Sequence, residues 1–184
     1  MVTMTGSTTE TSAGLMRLAA DGDEVAFAGL VDAHHADMSS VCFVVTGGDI
    51  ELTEEAVQSA WPIAWRKLHT IRDPERLRPW LISIAVNEAR QLARRRRRGR
   101  VLEVVAARDP SATTPRDPGS HVGDIDLRNA LVRMNPEDRA LIALRYVAGF
   151  DSTELARALH MSPSGTRARL ARLLCHLRSE LGDG

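Results

Sequence analysis

Arginines are the residues of this chain best suited to chemistry. Arg94, Arg95, Arg96, Arg97 and Arg98 run consecutively, and Asn87 and Arg90 precede them at helical spacing. A guanidinium keeps its charge and presents a rigid fork of donors that matches phosphate oxygens, so such a row suits a polyanion. A solvated helix end is the competing reading, because cations also suit the negative end of a helix dipole. The charge map favours the first. Residues 1–65 hold one cation, Arg17, against ten Asp and Glu, whereas residues 66–100 hold twelve cations against Asp73, Glu75 and Glu88. A chain of formal net charge +0 is therefore strongly dipolar. That asymmetry points to two partners of different chemistry, one of them polyanionic.

Other chemistry finds little support. There is no Ser/His/Asp or Cys/His grouping and no phosphate loop, so no catalytic residues are expected, and no cofactor. His34 and His35 lack a third ligand at metal spacing and read as a solvated pair. Cys42 and Cys175 stand apart from any CxxC, which suggests two buried free thiols in a reducing, cytosolic setting.

The elements that must position the arginines are helices. Everything periodic repeats at helical spacing and nothing alternates like a strand, so the expected class is all-α. At 184 residues the chain suits one or two small domains. The longest apolar run, Val41 to Val45, is far too short to span a membrane. Residues 1–14 carry no basic and apolar leader pattern, so no secretory signal is expected there.

Along the chain, residues 1–14 are small and polar and read as disordered. A helical pattern starts at Leu15, breaks at Asp21-Gly22-Asp23 with Asp23 as the next N-cap, and stops at Gly47-Gly48. Thr53 reads as the N-cap of a third helix, with Glu54 and Glu55 in its first turn and Pro62 as a possible kink. A fourth helix buries Trp80, Leu81, Ile84, Ala85, Ala89 and Leu92. Its other face shows Ser83, Asn87, Arg90, Gln91 and Arg94. Residues 101–125 read as a flexible linker, rich in proline, glycine and small polar residues toward its end. A second domain, 126–184, follows. Asn135-Pro136 is a helix start, and Asp151 with Glu154 resembles a capping box. A turn at His160-Met161 leads to Ser162-Pro163 and a last helix burying Leu170, Leu173, Leu174, Leu177 and Leu181. Its other side carries Arg167, Arg169 and Arg172. Two helices joined in this way fit a helix-turn-helix reader of the major groove. An ordinary helical hairpin with a solvated arginine face fits as well.

In combination these segments resemble bacterial RNA polymerase sigma factors of the extracytoplasmic-function type, which keep two promoter-reading domains, regions 2 and 4. Ala20-Asp21-Gly22-Asp23-Glu24-Val25-Ala26-Phe27 looks like that family's "AGDEEAF" opening. Glu54 to Trp65 resembles its "AEDLVQEVFLRAW" helix, and Leu77 to Asn87 resembles "FRAWLLRIARN". Leu131 to Gly149 looks like "LxxLPPxxRxxLxLRYVxG", and Arg169-Leu170-Ala171-Arg172 matches "RLAR". The likeness covers residues 15–100 and 126–181 in the family's order. It departs at Glu55 and Ser59, at Gln91, at Gly165, and at His160, which replaces a turn glycine.

The resemblance implies a sigma region 2 domain over 15–100 and a region 4 domain over 126–184. Glu54, Glu55 and Gln58 would meet the clamp helices of the polymerase β′ subunit, with Trp61, one turn further along, left open between that surface, stacking on DNA and the core, and the second domain would meet the β flap. The loop from Thr70 to Pro79 would capture a flipped base of the −10 element. Asn87 and Arg90 would flank it, and Arg94 to Arg98 would grip phosphates. Ser164, Thr166, Arg167, Arg169 and Arg172 would contact the −35 element. The implied protein directs promoter-specific initiation without catalysis or membrane insertion, in the bacterial nucleoid, and such proteins are often held inactive by an anti-sigma factor. An autonomous helix-turn-helix regulator with a sensing or dimerising N-terminal domain is the alternative, and the first domain's arginine run counts against it.

Overall fold

The structure, a computed structural model, describes the backbone of residues 5–107 and 129–182, and the side chains of 12–99 and 129–179. It is all-α, with no strand among the described residues. Helices α1 (Thr5–Ala20), α2 (Glu24–Thr46), α3 (Ile50–Lys67) and α4 (Leu77–Ala107) form the first unit. Residues 129–133 (α5), α6 (Pro136–Ile142), α7 (Ser152–Leu159) and α8 (Pro163–Gly182) form the second.

Local chemistry sets most boundaries. The Asp23 carboxylate accepts from the N–H groups of Val25 and Ala26 and opens α2. Gly47, at φ 80, closes it in a left-handed cap that a Cβ would resist. The next helix departs from expectation. It starts at Ile50, capped by Asp49 accepting from Leu52 N–H. Thr53, expected as the cap, lies one turn inside and is buried. Its hydroxyl bonds the Asp49 carbonyl at 2.7 Å and Thr46 Oγ1 at 2.9 Å. Pro62 is carried inside α3 without ending it.

Two expected boundaries move. α1 begins at Thr5, so helical backbone enters the stretch 1–14 expected to be disordered. Once the periodic segment after Leu15 has nucleated, extending a helix costs little. α4 runs on through Gly99 to Ala107, seven residues into the expected linker. Residues 108–125, the rest of that linker, and 126–128, the expected start of the second domain, lie outside the described residues.

The core sits between α2, α3 and α4, with Met38, Val41, Val45, Ala56, Ala60, Leu81 and Ala85 almost fully buried. Small alanines on α3 and α4 let those helices approach closely. The same buried cluster runs on into Ala140, Leu141 and Leu144 of the second unit, which packs on α2. After α6 the chain widens into a π turn, Ala143–Val147, where Ala148 N–H reaches the Ala143 carbonyl at 3.0 Å. Gly149, at φ 76, then turns the chain toward α7.

Candidate nucleic-acid interface

The ridge begins at the loop before α4. Two short 3-10 turns, Leu68–Thr70 and Pro74–Arg76, bring the chain round, and the Asp73 carboxylate caps the second by accepting from Glu75 N–H. Leu77 and Leu81 anchor the start of α4 in the core, each 1% exposed. This rigid seat opens onto a cavity of about 630 Å³ lined by Lys67, Arg72, Arg76, Trp80 and Asn87 from the first unit. Trp80 is half-buried, packing on the core while also lining the cavity. Trp65 packs edge-on against Phe27, with centroids 4.7 Å apart.

Further along α4, Arg90 is half-buried and donates to Asn87 Oδ1 at 3.1 Å. Burial lowers its pKa from the usual arginine value, the nearby Glu137 carboxylate opposes that, and Arg94 and Arg169 add to it. Arg94 to Arg98 are exposed and continue the ridge. Among the described residues, two of them are already engaged. Arg94 pairs with Glu137 at 3.2 Å, and Arg96 with Asp49 at 2.9 Å and Glu51 at 3.9 Å. Part of the acidic half of the chain thus neutralises the basic half internally.

The second unit holds the helix-turn-helix. Asp151 and Glu154 form the full capping box of α7: Asp151 accepts from the N–H groups of Thr153 and Glu154, and Glu154 accepts from Asp151 N–H. Those two backbone bonds hold the Asp151 carboxyl below its usual pKa. α7 ends at His160, whose φ of 54 is the left-handed value usually left to glycine. On α8, Ser164, Arg167 and Arg172 are exposed. Arg169 is folded back onto Asp138, donating through Nε and Nη2 at 2.7 Å.

Several residues singled out from the sequence fall elsewhere. Thr166 is 1% exposed, its hydroxyl donating to the Ser162 carbonyl at 2.9 Å, so it braces the start of α8 from inside. On α3, Glu54, Glu55 and Gln58 share an exposed face. Trp61 does not join them: it is 9% exposed and packs edge-on against Phe27 at 5.8 Å. Of the expected solvated pair, His35 is exposed and His34 is half-buried. Burial lowers the pKa of His34, Asp37 opposing and Arg78 reinforcing the shift. Cys42 is buried, which pushes its thiol up to about 12, whereas Cys175 is exposed rather than buried as expected. Arg157 and His160 of the second unit, not anticipated, also line the cavity. They sit some eighty residues from its other walls, so no local pattern announces them.

A cationic ridge beside a loop-walled cavity, followed by an exposed helix-turn-helix, defines a two-part DNA-reading protein. Family models agree in order and extent: Sigma-70 region 2 matches residues 30–99 and Sigma-70, region 4 matches residues 124–177, together two thirds of the chain. The chain belongs to the sigma-70 family of RNA polymerase sigma factors, in its extracytoplasmic-function branch. It is 28% identical to the ECF RNA polymerase sigma factor SigL of Mycobacterium tuberculosis, over 84% of this chain and 88% of that protein. It is equally similar, at 28%, to the protein named "Probable RNA polymerase sigma factor RfaY" of Xanthomonas campestris pv. campestris, covering 89% of this chain but only 42% of the longer protein's length. Among solved structures it is similar to CnrH in complex with the cytosolic domain of CnrY, with a TM-score of 0.66, 25% identity, and coverage of 94% of this chain and 98% of that one. Among the described residues no helix is long and apolar enough to cross a membrane, and no group of His, Cys, Asp or Glu could hold a metal ion.

Proposed function

We propose that this chain is a promoter-recognition subunit that works on the nucleoid, has no catalysis of its own and lends specificity to core RNA polymerase. The observation that carries this is the joint presence of two DNA-suited surfaces, the α4 ridge and the α8 face, on one family scaffold. Phosphate contacts set register, and base contacts set sequence. Arg95, Arg97 and Arg98 would hold the −10 backbone with Arg94 and Arg96. The cavity before α4, with Asn87 at its wall and Arg90 behind, would hold an unstacked base, whose extrusion costs a few kcal/mol that the surrounding contacts must offset. Ser164, Arg167 and Arg172 would read the −35 element, with Arg169 joining once released from Asp138. The exposed acids Glu54 and Glu55, with Gln58, would dock on a basic polymerase surface, where charge complementarity speeds encounter. A bound protein partner is part of this reading, since CnrH is seen in complex with the cytosolic domain of CnrY. The test is a permanganate footprint of promoter DNA with core polymerase. Thymines around −10 should become reactive only when this chain is added. A footprint unchanged by the chain would reject the reading.

A further inference from the structure

We propose that the 630 Å³ cavity before α4 also binds a free nucleoside polyphosphate, its base stacked on Trp80 and its phosphates held by Lys67, Arg72, Arg76 and Arg157. Such a ligand and a −10 base exclude one another there. That consequence rests on the sigma-factor reading; the binding itself does not.

Charge is the first support. The four cations come from separate places: Lys67 from the end of α3, Arg72 from the loop, Arg76 from the second 3-10 turn and Arg157 from α7. All four are exposed, and none has an ion pair or a side-chain hydrogen bond among the described residues. Arg78, Arg94, Arg96 and Arg169 differ, each being held by an acid. The two carboxylates on the cavity walls serve as caps instead. Asp73 accepts from Glu75 N–H, and Glu154 accepts from Asp151 N–H. Four like charges facing one space repel, and an anion between them relieves that repulsion.

Shape and wall chemistry are the second. Small-molecule sites are commonly about 300–1,000 Å³, mostly apolar with a few placed polar groups. Here Trp80, Ile71 and Ile84 are half-buried and supply the apolar wall. An aromatic face accepts any base by stacking. Two polar groups have one hydrogen-bonding role left. Asn87 Oδ1 is taken by Arg90 at 3.1 Å, which leaves Nδ2 to donate. The Ser83 hydroxyl donates to the Pro79 carbonyl at 2.7 Å, which leaves its oxygen to accept. Together they suit a base edge that both accepts and donates.

The excess of cations separates a free nucleotide from DNA. A DNA strand brings one charge per nucleotide and must continue past the cavity at both ends. A polyphosphate gathers several charges at one end of one base, and four unpaired cations beside one aromatic ring match that.

Isothermal titration calorimetry of the full-length chain with ATP, at low salt and without magnesium, tests the site. ATP should bind at one site per chain, and inorganic triphosphate roughly tenfold more weakly, since it cannot stack. Trp80→Leu should weaken ATP binding by a similar factor, and Trp80→Phe should recover most of it. Arg72→Ala combined with Arg157→Ala should weaken it roughly ten- to a hundredfold. Arg66→Ala, which removes the same charge from an exposed neighbour of Lys67 that does not line the cavity, should change little. Circular dichroism checks that each variant has folded. ATP that binds no more tightly than triphosphate, or a folded Arg72→Ala, Arg157→Ala variant that binds like the wild type, overturns the proposal. So does a single-stranded tetranucleotide that binds where ATP does not. A chain that binds ATP as described yet fails to direct initiation would overturn the sigma-factor reading and leave this site standing.

Discussion

Arg139 on α6 and Val45 on α2 lie 94 residues apart in sequence, yet the Arg139 Nε donates to the Val45 carbonyl at 2.7 Å. The same guanidinium reaches the Leu131, Val132 and Met134 carbonyls at 3.2 to 3.4 Å. One side chain therefore ties the end of α5 to the last turn of α2. Burial lowers the pKa of Arg139 from its usual value, and Arg97 adds to that shift, yet an arginine stays charged at neutral pH and keeps its donors. Arg139→Ala would strand several carbonyls in a site only 7% exposed. It should cost about 3 kcal/mol in urea unfolding, with Arg139→Lys recovering part of the loss. Gly47→Ala should be comparably harmful, because the new Cβ would lie 3.0 Å from Arg139 Nη1 at a φ of +80.

His34 makes stability depend on pH. Its folded pKa lies below the ordinary 6.5, chiefly through burial. The unfolded chain therefore binds the proton more readily, and stability must rise with pH across the window below 6.5. Acidification from pH 7 to pH 5 should lower the melting temperature. His34→Gln should flatten that part of the profile, as thermal melts at several pH values would show.

At the helix-turn-helix corner, His160 holds the left-handed φ of 54. Left-handed backbone costs a non-glycine residue about 1 kcal/mol or more. His160→Gly should therefore stabilise the fold by about 1 kcal/mol, measurable as a shift in the denaturant midpoint without a change in m. His160 also lines the cavity, so DNA affinity of the same variant should be followed in parallel.

The arginine run should set salt dependence. Replacing Arg94 to Arg98 with Ala removes up to five phosphate contacts, each contributing about 0.9 to the slope of log K against log salt. Because Arg94 and Arg96 are already paired with Glu137 and Asp49, the measured fall in slope should be nearer three than five. Fluorescence anisotropy with a promoter duplex at several salt concentrations gives the number.

Much of this was legible in the chain because the chemistry was local. Asn135-Pro136 and Asp151 with Glu154 each carry cap and partner within four residues, and both do in the structure what their spacing predicts. Thr53 misled because a threonine in a first turn can cap from outside or bond back from inside, and Asp49 took the outer position. Thr166 misled, and Trp61 stayed open, for another reason. A helical period says which residues share a face, but which face meets solvent depends on neighbours such as Phe27, distant in sequence. The π turn at Ala143–Val147 and the reach of Arg139 to Val45 left no local trace.

Run-off transcription with purified core RNA polymerase, on a template carrying candidate −35 and −10 elements, tests the central claim most directly. A single start site should appear only with this chain present. It should move with the elements when they are shifted along the template, and weaken when Arg167 and Arg172 are changed to Ala. Transcripts that begin at the same places and in the same amounts with and without the chain would contradict the account.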